Sequence, residues 1–236
     1  MAKIPGTQML HLISANAQKA IIEHDADKTL SILIVDRSGS MSRFGQTPLD
    51  CLNAHLQSLQ NPPDKREQYC TIIYFADEAI VELPLTKVES NLQIERYEAD
   101  GNTLLWETVY QTMKLFRQLH QNMPGGDLLQ VVVGVFSDGD DTRSDRQRQP
   151  QKLKRMAKKV TDFGWHLFSY GIGIDGQKLA EEMGFPSDAD HAKTVEASLA
   201  GIEEVTRHFS LSTTTIGVPA DFFKAPPPGT TTPKKP

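Results

Sequence analysis

One stretch constrains this chain more than any other. Residues 29–42 read TLSILIVDRSGSMS, an apolar, β-branched run that stops abruptly in small oxygen-bearing residues. Residues 30–35 have strand length but lack the alternation of a strand with one wet face. A strand covered on both faces, as in a parallel sheet, has this pattern. In an open α/β sheet, ligands sit just past the carboxyl ends of the strands. Asp36, Ser38 and Ser40 therefore fall where such a fold builds its site. All three offer only oxygen, which suits a hard cation such as Mg²⁺ that takes oxygen ligands in octahedral geometry and keeps several waters. One carboxylate and two hydroxyls cannot complete an octahedron, so further oxygen ligands are sought along the chain.

Two later stretches offer them. Residues 99–103 (ADGNT) precede a helix expected over 104–120, and Thr103 stands at its start, where its hydroxyl either caps the helix or faces a metal. Residues 128–137 (LLQVVVGVFS) form the most strongly apolar strand candidate, and Asp138 follows it as Asp36 follows the first. The acidic run 138–142 partly matches a calcium-binding EF loop. Arg143 stands where that loop needs Gly and no closing Glu follows, so Asp140 and Asp141 are expected in a solvated loop.

The Asp36-x-Ser38-x-Ser40 motif resembles the first element of the metal-ion-dependent adhesion site of von Willebrand factor A (VWA) domains. In that family the second element is a Thr in a loop before a helix, and the third is an Asp at the end of a later strand. Thr103 and Asp138 match them, and the resemblance spans residues 29–210. It implies a Rossmann-like fold and a Mg²⁺ site, with Mn²⁺ or Ca²⁺ as alternative ions, held by Asp36, Ser38, Ser40, Thr103 and Asp138. A partner protein's Asp or Glu would complete the coordination. In part of the family, ligand binding exchanges contacts at the Thr and the Asp and shifts the last helix, here residues 198–209. Prokaryotic intracellular members often act with AAA ATPases of the MoxR kind, or with kinases and phosphatases in stress and defence systems. The resemblance thus points to an adaptor in such an assembly.

The rest of the chain fits an α/β reading. A helix over 49–59 starts at Thr47-Pro48 and stops at Pro62-Pro63. Strands are expected over 68–76 and 79–83, joined by the Asp77-Glu78 turn, with Pro84 ending an edge strand. Residues 85–98 give no clear pattern. A helix runs to about 163 with Gly164 behind it, a strand covers 165–172, a short helix 177–183, an edge strand 192–195 and a final helix 198–209. The polar run 143–151 is expected as a solvated loop, or a rim that selects acidic partners. The expected architecture is a doubly wound, mostly parallel α/β sheet with one short antiparallel edge strand and helices on both faces. An amphipathic helix is expected over 8–24. Residues 1–28 are taken as an N-terminal segment, 29–211 as the domain, and 212–236 as a Pro/Thr-rich flexible tail.

Several other chemistries are weak. Cys51 and His55 lie one helical turn apart, but no further soft ligands stand nearby, so packing is expected rather than zinc. Residues 171–176 match GxGxxG late in the chain before a short helix, where a tight strand-to-helix turn accounts for the glycines. An Mg²⁺-dependent phosphatase using Asp36 as nucleophile is the enzymatic alternative. Such enzymes carry a second Asp two residues on as general acid, and here that residue is Ser38. A non-enzymatic reading is therefore preferred. A net charge of −5 gives no basic surface for nucleic acid. No apolar run is long enough to cross a membrane. Two cysteines and the lack of a secretory h-region point to a reducing, cytoplasmic setting.

Overall fold

Strand β1 (Lys28–Asp36) is buried along its whole length. Its side chains divide by parity: Leu30, Ile32 and Ile34 enter one core cluster, Leu33 and Val35 another. Helices cover both faces, so both sets of side chains must be apolar, and the run is unbroken. In the computed structural model, which describes residues 18–19, 21–22, 27–63, 65–123, 129–144 and 149–216, a 3-10 turn (Gly39–Phe44) follows β1. Helix α1 (Thr47–Gln60), β2 (Glu67–Phe75), β3 (Ala79–Lys87), α2 (Leu105–Gln121) and β4 (Leu129–Ser137) come next. The chain continues with α3 (Gln149–Thr161), β5 (His166–Ile172), α4 (Gly176–Met183), β6 (Ala192–Val195) and α5 (Leu199–Thr215).

The sheet order is β3-β2-β1-β4-β5-β6, parallel throughout except for the β2–β3 pair. Helices α2, α3 and α4 cover one face, and α1 and α5 the other. This is the expected doubly wound α/β fold. After β1 the chain winds one way to β2 and β3, then returns to the other side of β1 for β4, β5 and β6. The direction reverses between β1 and β4, so the loops leaving them diverge and leave a crevice at the carboxyl edge.

Three local expectations need correction, and one stretch without a clear pattern takes a defined course. Strand β3 does not stop at Pro84 but runs on to Lys87, nine residues in all. The pairing register shifts opposite Ile72, and Pro84 is exposed on this edge strand, where its missing N–H costs no ladder bond. Helix α5 crosses the expected boundary at residue 211 and ends at Thr215. The threonine run that reads as a tail instead folds its hydroxyls onto the helix: Thr213 donates to the Phe209 carbonyl at 2.8 Å and Thr215 to that of Leu211 at 2.8 Å. Residues 88–104 form an ordered strap, in which Asn53 of α1 bonds both the N–H (2.8 Å) and the C=O (3.0 Å) of Ile94. Asp141 is buried rather than solvated.

Of the expected N-terminal helix, Gln18, Lys19, Ile21 and Ile22 are helical, and Ile21 is fully buried in the α2–α4 core; the remainder lies outside the described residues. Residues 217–236 of the expected tail, and Arg146 and Arg148 of the polar run, also lie outside them. The GxGxxG glycines serve packing: a Cβ on Gly171 would strike the Ile174 carbonyl, and one on Gly176 the Lys193 carbonyl. Among the described residues, no helix is long and apolar enough to cross a membrane.

Candidate functional site

Asp36 ends β1, Ser137 ends the neighbouring β4 and Asp138 follows it, with Val35 paired to Phe136. Sheet register alone therefore brings the first and third motifs side by side at the switch point. Asp36 is fully buried. Its Oδ1 accepts the Ser38 N–H at 2.8 Å and its Oδ2 the Ser137 hydroxyl at 2.6 Å. The Ser38 and Ser40 hydroxyls lie 3.1 Å apart, and Ser40 donates to Asp138 Oδ1 at 2.7 Å. Four of the five expected residues thus form one hydrogen-bonded chain across the β1–β4 crevice.

Thr103, the fifth, is buried and outside that chain; its backbone bonds Thr142, and its loop is tied to the first motif's loop. Gly39 N–H donates to the Gly101 carbonyl at 2.9 Å, and Asp100 N–H to the Arg37 carbonyl at 2.8 Å. Gly101 has φ of +84°, and a Cβ there would fall 2.6 Å from Asp77 Oδ2, so this turn requires glycine. Thr103 does not cap α2. Leu104 holds the N-cap position without a side-chain bond. The free N–H groups of the first turn go instead to the loop after β4: Trp106 N–H to Asp141 Oδ2 at 2.7 Å, and Glu107 N–H to Ser144 Oγ at 3.2 Å. Asp141 also accepts the Ser144 N–H and hydroxyl, both at 2.6 Å. The capping duty is met by another loop, and Thr103 is not needed for it.

Other contributors carry no motif in the sequence. Tyr97, in the strap, donates to the Asp36 carbonyl at 2.6 Å and so fixes the end of β1. Ser137 donates to Asp36 and accepts the Gly139 N–H at 3.3 Å. Arg43, from the 3-10 turn, donates to Asp138 Oδ2 at 2.8 Å. Only the small polar residues beside a strand end could have suggested Ser137; the others act through contacts between distant segments.

Burial pushes the Asp36 carboxyl up to about 6, opposed by its hydrogen bonds to Ser137 and Ser38 and reinforced by the charge of Asp138. A buried carboxylate facing a second carboxylate suits a divalent cation, whose charge would reverse that shift. The donor set is oxygen alone, as a hard ion requires. Among the described residues, no three His, Cys, Asp or Glu side chains gather into a metal cluster. Any ion here would depend on the hydroxyls, water and an outside donor. The alternative Cys51–His55 pair is structural. His55 bridges Ser31 of β1 and Ser210 of α5, each at 2.9 Å, and burial drives its imidazole down to about 3.

No family model matches the sequence, and no curated protein matches it. Solved structures do match by fold. A von Willebrand factor type A protein from Catenulispora acidiphila aligns with TM-score 0.57 and 15% identity, over 80% of this chain and 43% of that one. The pilus adhesin SpaC from Lactobacillus rhamnosus GG, in an open conformation, aligns with TM-score 0.59 and 14% identity, over 82% and 31%. The manganese-loaded TRAP protein of Plasmodium vivax aligns with TM-score 0.50 and 16% identity, over 78% and 74%. This chain spans less than half the length of the first two.

Proposed function

From a von Willebrand factor A fold, we propose that this chain is a metal-dependent protein-interaction module. Asp36, Ser38, Ser40, Thr103 and Asp138 hold one divalent cation, Mg²⁺ in the first instance, and a partner's Asp or Glu binds to it. The observation that carries this reading is the hydrogen-bonded chain from Asp36 through Ser38 and Ser40 to Asp138 at the switch point. A divalent cation bound there supplies an electrophile for a carboxylate oxygen. The chain's own residues do the positioning. Tyr97 and Ser137 fix Asp36, Ser40 orients Asp138, and Asp141 relieves Thr103 of capping. The manganese-loaded neighbour supports the choice of ion class. The reading is non-catalytic, because Ser38 rather than a carboxylic acid stands two residues beyond Asp36 and offers no general acid. It extends to a cytoplasmic adaptor engaging a MoxR-type AAA ATPase, or a kinase or phosphatase partner, through an acidic residue.

The test is affinity capture from native lysate in Mg²⁺, beside EDTA and beside an Asp36→Ala/Ser38→Ala variant. Partners lost in both controls support the reading. Partners retained in all three arms remove the metal site as the binding surface.

A further inference from the structure

Arg43 is the one cation bonded to the candidate centre among the described residues, and no sequence motif assigns it a role. Its guanidinium donates to Asp138 Oδ2 at 2.8 Å and lies 4.7 Å above the Phe44 ring. The carboxylate it meets is fully covered, whereas the Arg43 side chain is 50% exposed. The pair thus joins a buried anion to a cation at the rim. Phe44 is buried at 3% exposure and fixes the end of the turn beneath it.

We propose that Arg43 is a built-in counter-ion that competes with the divalent cation for Asp138 and keeps the loaded site positively charged, so that the site favours carboxylate ligands. This rests on the metal-binding reading above. With Asp36 ionised, two carboxylates and one guanidinium leave the site at one net negative charge. Without Arg43 it would carry two. A divalent cation then turns the site to one net positive charge instead of neutral. The same residue therefore lowers affinity for the metal and raises affinity of the loaded site for an anion. By linkage, an acidic ligand and the metal strengthen each other's binding, because their charges are opposite. Metal loading and acidic-partner binding become coupled events.

Gln at this position can still donate to Asp138 but carries no charge, and Lys keeps the charge. The full chain and its Arg43→Gln, Arg43→Lys and Asp36→Ala/Ser38→Ala variants would be titrated with MnCl₂ by calorimetry, with folding checked by thermal melting. Acetate would then be titrated into each Mn²⁺-loaded protein and followed by water-proton relaxation. R43Q is expected to bind Mn²⁺ roughly three- to thirtyfold more tightly, and acetate more weakly, while R43K follows the wild type in both. These opposite directions are what a merely structural Arg43 would not produce. If R43Q binds Mn²⁺ as the wild type does, or more weakly, Arg43 is not a competing counter-ion while the metal site stands. If no folded form binds Mn²⁺, the metal reading fails and takes this inference with it.

Discussion

His55 and Asp36 are both buried ionisable groups, displaced in opposite senses. His55 titrates near 3 in the folded chain against 6.5 unfolded, because burial disfavours its charged form. Below about pH 6.5 the unfolded state takes up a proton that the folded state refuses. This contribution to stability is present above pH 6.5 and is lost as pH falls toward 3, by roughly 1.4 kcal/mol per unit. Metal-free Asp36 titrates near 6 against 3.8 unfolded. Between pH 6 and 4 the folded state takes up its proton first, so acidification stabilises it. The two effects offset each other in that window. Urea denaturation in EDTA at pH 4, 5 and 6 should therefore show His55→Gln gaining stability on acidification relative to wild type, and Asp36→Asn losing it. A His55→Gln slope equal to that of wild type would mean that His55 titrates normally in the fold. Asp36, Ser38, Ser40 and Asp138 were legible in the sequence because each follows a strand that identifies itself. Arg43, Tyr97 and Asp141 were not, because their partners lie 95, 61 and 35 residues away.

The elements were legible in type and order because their periodicities are strong; their ends were not. Pro84 looked like a terminator, but an exposed edge with a register shift accommodates it, and the Thr-rich end of α5 looked like linker until its hydroxyls found helical carbonyls. Helix α2 shows how far an element can depend on a distant segment. Its first-turn donors are satisfied by Asp141 and Ser144, from the loop after β4. Asp141→Ala removes this cap and leaves buried N–H groups unpaired, at a cost of about 2 kcal/mol. Urea denaturation should report that loss, with faster hydrogen exchange at residues 105–108; an unchanged midpoint would mean that water replaces the cap at no cost. Strand β4 shows the converse, a residue whose absent side chain matters. A Cβ on Gly134 would lie 2.6 Å from the Phe209 ring of α5, so glycine lets that helix sit against the sheet. Gly134→Ala should cost about 1–3 kcal/mol by overpacking. The affected amides should be those of α5 rather than of α2 on the opposite face.

At the scale of the molecule, the sheet falls into two halves that meet only at the β1–β4 pair: β3-β2-β1 built first, β4-β5-β6 built after the return. Alternation of strands and helices made the doubly wound class readable, but not which strands would be neighbours, since strand order is decided by where the chain returns. Asp36 belongs to one half and Asp138 to the other. A cation bound between them would join the halves at their seam, and its effect should be global. An ion that binds only the folded state adds RT ln(1+[L]/Kd), about 2.7 kcal/mol at a hundredfold excess over Kd. For a chain of this size that is a rise in melting temperature of about 5–10 °C. Mg²⁺ should produce such a rise over EDTA in the wild type and none in Asp138→Ala. Hydrogen exchange separates a global from a local effect. The slowest amides of β1 and β4 exchange through opening of the whole fold, so they should gain the same protection factor as the thermodynamic stabilisation implies. Protection confined to residues 37–44, 99–104 and 138–144 would show the ion ordering only the loops, with the two halves already joined as firmly without it.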